Sequence, residues 1–176
     1  MFALKLLGSL IVLSAAAGLG LEKSMEYRQR IEALSELRRM FLLLSGEIRS
    51  SRTPIPEAFR HMAGRMDGPY REFLNQMAQK LEQMGGESFS ALWKETLKEQ
   101  LSGGVLKLQK EDMELIGSFG DMFGYLDVQM QLSAIRLLQE QLLDRLGMLR
   151  GACAGQMRMA KLLGVGGGIF LVILLV

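Results

Sequence analysis

Apolar positions along this chain fall into three regimes: a charge-free run from Leu6 to Leu21, a long middle where apolar residues recur every three or four positions among charges, and a second charge-free run from Leu162 to Val176. The middle shows no sustained period-two alternation, and Leu, Met, Glu, Gln, Arg and Ala dominate over β-branched residues, so helix is the default. The first helix is expected to run to about Arg49, with Ile31, Leu34, Leu37, Phe41, Leu44 and Ile48 on one face. A break over Ser50 to Thr53 precedes a second helix over about residues 54–66, with Thr53 as N-cap and Pro54 and Pro56 in the first turn, where a missing N–H costs least. After the Gly68-Pro69 turn, Phe73, Leu74, Met77, Leu81 and Met84 form a third stripe that Gly85-Gly86 ends. Ser88 is placed to cap a short fourth helix carrying Phe89, Leu92, Trp93 and Leu97, which stops near Gly103-Gly104. A fifth runs from about Val105 to Gly124 with Met113, Ile116, Phe119 and Phe123 inward. Asp127 is placed to cap the sixth, on which Val128, Leu132, Ile135, Leu138, Leu142, Leu146, Leu149 and Cys153 recur at helical steps.

The two charge-free ends set the architecture. Residues 1–21 make a helix of about 31 Å at roughly 1.5 Å per residue, enough for a bilayer core of about 30 Å. Residues 162–176 reach only about 22 Å, so Met157 to Lys161 continue that helix into the interface, where Arg158 and Lys161 snorkel. The expectation is an all-α chain: a six-helix bundle with antiparallel neighbours over residues 22–161, flanked by transmembrane helices at 1–21 and 162–176. Lys23, Arg28, Arg30, Arg38 and Arg39 follow the first segment, and Arg145, Arg150, Arg158 and Lys161 precede the second, whereas the outer ends offer only Lys5 and the amino terminus. The positive-inside rule then puts the bundle in the cytoplasm and both termini outside. A competing reading takes Lys5, the apolar run and Ala15-Ala16-Ala17 as a cleaved signal peptide, leaving the bundle outside on a C-terminal anchor.

Composition narrows the function. The charge of +2, from 21 basic and 19 acidic residues, gives no field for binding nucleic acid. One Cys and one His exclude an internal disulfide and the usual structural zinc sets. No internal repeat and no low-complexity linker point to a second soluble domain.

Candidate chemistry is sparse, and no cofactor is expected. No Gly-Lys-Ser or Gly-Lys-Thr occurs, so no P-loop is present. Gly164-Val165-Gly166-Gly167-Gly168 imitates a dinucleotide loop, but it lies in an apolar run without a preceding strand and fits close helix packing. His61 stands without another His, and Glu111, Asp112 and Glu114 read as a solvated helix start that complements the macrodipole, with a weak cation patch as the alternative. The small residues carry more. Gly147, Gly151 and Gly155 recur at four-residue steps on the sixth helix, and Gly164 with Gly168 and Ser14 with Gly18 repeat that spacing. A helical Gly costs about 1 kcal/mol relative to Ala, so these positions suggest a close helix approach. Packing between the chain's own membrane helices is the preferred explanation, and contact between copies, a homo-oligomer, the alternative. The 13 Met residues read first as core filler and second as a pliable partner surface.

Two elements carry a family resemblance: Thr53-Pro54-Ile55-Pro56-Glu57-Ala58, and Phe119-Gly120-x-x-Phe123-Gly124-x-x-Asp127-x-Gln129. With the N-terminal apolar helix, Glu47-Ile48 and a Trp in a short helix, the chain resembles the stage III sporulation protein AB family over essentially its whole length. Ile55 and Phe123 stand where Leu is expected, a conservative departure. The resemblance implies a cytoplasmic bundle similar to the platform protein of type II secretion and type IV pilus machines. It also implies membership of a channel complex between mother cell and forespore, in the mother-cell membrane, without enzymatic activity. The implied partners are a secretion-type ATPase of the same operon and other channel components. Glu57, Asp127 and Gln129, which lie in the two elements, are the candidate partner contacts; for Asp127 a helix cap is the stronger explanation, and for Glu57 the macrodipole of its own helix stands level. A membrane-associated regulator or enzyme, with polar side chains converging in a pocket of the bundle, is the alternative.

Overall fold

The structure, a computed structural model, describes residues 2–50, 54–101, 106–123 and 127–175. They form six helices: α1 (Phe2–Ser50), α2 (Ile55–Ala63), α3 (Gly68–Glu82), α4 (Phe89–Leu101), α5 (Lys110–Phe123) and α6 (Val128–Leu175). No strand occurs among the described residues. The expected all-α class and six-helix order are present.

The helix boundaries follow local chemistry. Pro54 occupies the N-cap position of α2, its carbonyl accepting the Ala58 N–H at 3.0 Å, with Pro56 inside the first turn. No side chain among the described residues caps this helix, and Thr53, the expected cap, lies outside them. The last turn tightens, with Arg65 N–H reaching Met62 O at 2.9 Å, so α2 ends at Ala63 instead of residue 66. Gly68 has φ +56°, a left-handed value that glycine adopts without strain, at the start of α3. Ser88 Oγ accepts the Ala91 N–H at 3.2 Å and caps α4 as expected. The fifth helix starts later than the sequence suggested, at Lys110. Its start is fixed by Asp112, whose carboxylate reaches back to the Gln109 N–H at 2.9 Å, the reverse half of a capping box.

The chain divides into two compact units. One spans Glu32–Leu146; the other combines Met1–Ile31 with Gly147–Val176.

In the Glu32–Leu146 unit, α2, α3, α4 and α5 pack in succession, each on the next. The core centres on Trp93 of α4, fully buried, with ring centroids of Phe73 at 4.9 Å, Phe119 at 5.1 Å, Phe89 at 5.9 Å, Phe41 at 6.0 Å and Phe59 at 6.4 Å. Aromatic pairs at such distances add about 1 kcal/mol each beyond the area they bury. The Trp93 indole N–H donates to Ile116 O at 2.9 Å, which makes burial of its polar edge tolerable. Leu34, Leu37 and Leu44 of α1 and Ile135, Leu138, Leu142 and Leu146 of α6 are buried as their spacing predicts. Met84 and Val128, assigned to apolar stripes from the spacing, are about half exposed. Met84 falls beyond the end of α3 at Glu82, so the stripe no longer directs it, and Val128 sits in the first, half-wrapped turn of α6.

The second unit is built from one end of α1 and one end of α6. Ser24 and Cys153, both buried, meet at 3.8 Å, and Arg28 Nη2 approaches Met157 Sδ at 3.7 Å. Cys153 is a free thiol. Residues 2–21 and 162–175 form the outer ends of α1 and α6. Their side chains lie outside the described residues, apart from the exposed Gly8, Gly18, Leu162 and Gly166. Among the described residues no helix is long and apolar enough to cross a membrane.

Candidate interaction surface

The second of the two sequence elements turns out to be core architecture. Phe119 and Phe123 pack their rings 4.8 Å apart beside Trp93, and Gly120 lies beneath the indole. A Cβ on Gly120 would fall 2.8 Å from Trp93 Cδ1, 3.0 Å from Cγ and 3.1 Å from Cβ, closer than side chains tolerate. Here glycine is required by the approach of α4 to α5. Gly124 lies outside the described residues. Asp127 closes the element as the N-cap of α6: its Oδ1 accepts the Met130 N–H at 2.9 Å and its carbonyl the Gln131 N–H at 2.9 Å. Gln129 is exposed in the same turn, and its carbonyl accepts the Ser133 hydroxyl at 2.9 Å.

Around the first element, His61 of α2 and Arg65 just beyond it reach Glu47 of α1. His61 lies between two carboxylates, Nδ1 3.5 Å from Glu47 Oε2 and Nε2 3.9 Å from Glu57 Oε1. Arg65 Nη1 stands 3.7 Å from the other oxygen of Glu47. Glu47 is only 16% exposed, whereas Glu57 is 54% exposed and available to a partner. The neighbouring α2 and α3 surfaces are joined by an Arg60–Glu82 ion pair. Glu57 in the first turn of α2 also favours the positive end of that helix. Glu57 and Gln129 are therefore surface groups, whereas Asp127 is committed to its cap.

The glycine stripe on α6 is open. At Gly147, Gly151 and Gly155 an added Cβ would meet no heavy atom of the described residues within 4 Å. The described residues supply no neighbour for these three positions, and most side chains of the N-terminal apolar segment, the partner expected from the sequence, lie outside them. In this unit α6 turns Leu149 and Cys153 inward, and the glycines lie on other faces, next to exposed Met148 and Met159. The side-chain surroundings of Gly164, Gly168 and Ser14 lie outside the described residues; among those residues Gly18, like the three glycines, has nothing within 4 Å.

One charged pair was not legible in the sequence. Asp112, assigned there with Glu111 and Glu114 to a solvated face, is 0% exposed, and its Oδ1 accepts Arg145 Nε at 2.7 Å. With the Gln109 N–H on Oδ2, this carboxylate ties the start of α5 to α6. Glu111 and Glu114 are exposed as expected. No Asp-x-x-x-Arg spacing within a helix announces the pair, since the partners are far apart in sequence and meet only across helices. On the opposite side of α5, Lys94 Nζ reaches both oxygens of Asp121, at 2.6 and 2.7 Å. These bonds, with one from Ser90, hold the Asp121 carboxyl below its ordinary range. Among the described residues no cluster of His, Cys, Asp and Glu is arranged to hold a metal ion. What the surface offers chemically is recognition: exposed carboxylate, amide and ammonium groups on a helical scaffold whose motif residues are mostly spent on its own packing.

A family model described as Stage III sporulation protein AB matches residues 5–176. Stage III sporulation protein AB of Bacillus subtilis (strain 168) is 28% identical over 172 residues, covering 98% of this chain and 99% of its own length. The solved structure of a Stage III sporulation protein AB (SpoIIIAB) superposes with a TM-score of 0.64 at 24% identity, over 72% of this chain and 97% of the solved one. That likeness shows the same helical fold.

Proposed function

The chain belongs to the stage III sporulation protein AB family, and from that premise we propose that it is a non-enzymatic membrane platform in a channel complex between mother cell and forespore, coupling a secretion-type ATPase of the same operon to membrane components. A role in endospore formation comes with the family. The platform role is the finer step. The observation that carries it is the continuity of α1 and α6, unbroken helices of 49 and 48 residues that each join a charge-free end to the helices of the polar middle. Two charge-free ends, each carried on the same helix as part of the polar middle, suit a part held at a bilayer. The charge-free ends, 1–21 and 162–176, serve in this reading as the two membrane spans, with their basic flanks on the cytoplasmic side.

Glu57 and Gln129 are the partner contacts of this proposal, being exposed beside or within elements that the fold otherwise uses for capping and core packing. Asp127 contributes by fixing the turn that presents Gln129. The test is photocrosslinking from probes at positions 57 and 129 in sporulating cells, with mass spectrometry of the captured proteins. Capture of the secretion-type ATPase is the expected result. Capture confined to proteins of the space between the two membranes would reverse the topology and sink the coupling.

A further inference from the structure

Charge is divided unevenly between the two compact units. The unit made of Met1–Ile31 and Gly147–Val176 holds seven of the 21 Lys and Arg residues but only two of the 19 Asp and Glu, Glu22 and Glu26. It is therefore positive by five while the Glu32–Leu146 unit is negative by three, a difference that the overall +2 conceals.

Exposed apolar side chains are divided the same way. Leu162 at 72%, Met148 at 68%, Met159 at 65% and Met25 at 61% are the most exposed large apolar residues among those described, and all four belong to the positive unit. A surface that is cationic and apolar at once narrows the choice of occupant. A nucleic acid or a soluble acidic protein would answer the charge and leave the apolar side chains in water. An apolar protein face would cover the methionines and strip water from the cations without compensation. An acidic phospholipid meets both, with phosphate for the cations and the upper acyl chains for the apolar groups.

The cations of this unit differ in what they already face. Lys23 is held by Glu26 at 2.8 Å. Arg28, exposed on α1, leans instead onto Met157 of α6, its Nη2 3.7 Å from an uncharged sulfur. Arg150 and Arg158, exposed on α6, face no carboxylate among the described residues. Arg150 and Met157 are two helical turns apart and share a face of α6, so Arg28 reaches the face that carries Arg150. Each guanidinium presents a fork of N–H donors that matches two phosphate oxygens. Met148, Met159 and Leu162 point to other faces of α6 than Arg150, so the complement is a belt of lipids around the unit and not one molecule in a pocket.

We propose that Arg28, Arg150 and Arg158 bind the phosphates of acidic phospholipids, with the exposed methionines of the same unit against the upper acyl chains. The proposal deepens the membrane reading of the charge-free ends, from which it takes the bilayer as the source of its occupant.

The test uses the full chain in detergent micelles with equal amounts of dioleoyl phosphatidylglycerol and dioleoyl phosphatidylcholine, the bound lipids being weighed by native mass spectrometry. Phosphatidylglycerol adducts are expected to exceed phosphatidylcholine adducts at least about fivefold, the equivalent of one arginine at an acidic surface. The preference should fall to near parity in the triple variant Arg28→Gln, Arg150→Gln, Arg158→Gln, whose helix content, read by circular dichroism, should be unchanged. It should persist in Lys98→Gln, Arg136→Gln, Lys110→Gln, which removes three exposed cations from the other unit. Equal adducts in the native chain, an unchanged preference in the arginine variant, or an equal fall in the lysine-rich control would overturn the proposal. So would displacement of phosphatidylglycerol by millimolar inorganic phosphate, which makes free phosphate the occupant. A lipid-free dimer that the arginine variant loses would also overturn it, assigning the charges to the negative unit of a second copy. The spans are tested apart, by sodium carbonate extraction of the chain from phosphatidylcholine vesicles. A chain that carbonate strips but that keeps its phosphatidylglycerol preference loses the spans and retains the headgroup surface.

Discussion

The carboxylate of Asp112, wholly withdrawn from solvent, receives Arg145 Nε at 2.7 Å and so fastens the first turn of α5 to the middle of α6. Arg145 keeps 26% of its side chain exposed, and the two partners therefore respond differently to loss of the other. Removing one member of a buried pair typically costs about 3–5 kcal/mol, less where the remaining charge can reach water. Arg145→Ala leaves a buried carboxylate without that guanidinium and should cost about 3 kcal/mol. Asp112→Ala also loses the Gln109 cap, but it leaves an arginine that can hydrate, and should cost about 2 kcal/mol. The double variant should fall short of the sum by at least about 1 kcal/mol, measured by denaturant unfolding. Strict additivity would mean that the pair is not coupled.

The seat of Trp93 on Gly120 gives the second expectation. In Gly120→Ala the new methyl meets Trp93 not at a flexible tip but near its Cβ and Cγ, at 3.1 and 3.0 Å, so α4 and α5 must separate or the indole must leave its rotamer. Overpacking costs about 1–3 kcal/mol, against a helix-propensity gain of about 1 kcal/mol for alanine. A net loss of stability is expected, with altered near-UV circular dichroism from the displaced indole. Gly117→Ala, with its nearest contact at 3.9 Å, should instead be neutral or stabilising.

How far the sequence foretold this arrangement depends on what each feature rests upon. Helical periodicity resides within one segment, and so the buried faces of α1, α4 and α6 follow from Leu34, Leu37, Phe41, Trp93, Leu138 and Leu142. Caps made by a residue on its own helix, Ser88 and Asp127, are equally local and equally legible. Asp112 is not, because its burial depends on an arginine supplied by another helix. The same reason separates Gly120 from Gly147: both are glycines in helices, and only the neighbour's position shows that one is jammed against Trp93 and the other open. The family elements were legible as motifs, but their division into core residues and surface residues was not.

Asp127 illustrates that division. Its bond to the Met130 N–H, at 2.9 Å, is an N-cap worth about 1 kcal/mol. Asp127→Ala should lower the unfolding free energy by that amount, and Asp127→Asn or Asp127→Ser should restore most of it, since either side chain accepts the same N–H. Should the Asn variant keep full stability yet lose crosslinking from position 129, the carboxylate charge would serve a partner as well as the cap.

Tyr70 of α3 sets a limit at alkaline pH. Its hydroxyl donates to Ala33 O at 3.1 Å from a buried site. Burial first, and then the negative charges of Glu36 and Glu32, push its ionisation well above the ordinary tyrosine range. The unfolded chain releases the phenol proton near pH 10 while the folded chain holds it, so the unfolded state binds fewer protons and stability falls as pH rises. The contribution is fully present below about pH 10 and declines above it, by at most about 1.4 kcal/mol per pH unit. Tyr70→Phe should abolish this component of the alkaline slope while losing the Ala33 hydrogen bond at every pH. An alkaline slope unchanged in the Phe variant would assign it to other groups.

The open glycines of α6 make the last expectation a matter of sign. If nothing approaches Gly147, Gly151 and Gly155, each alanine substitution gains helix propensity, about 1 kcal/mol, and meets no clash. Gly151→Ala in the purified, dilute chain should therefore raise the unfolding midpoint. A close helix neighbour reverses the outcome, because small-residue stripes work by letting two backbones come nearer than a Cβ allows. Repeating the measurement at increasing protein concentration separates the cases. A gain at every concentration leaves the stripe as an exposed face of α6, whereas a gain that turns to a loss as the chain self-associates places a second copy against it.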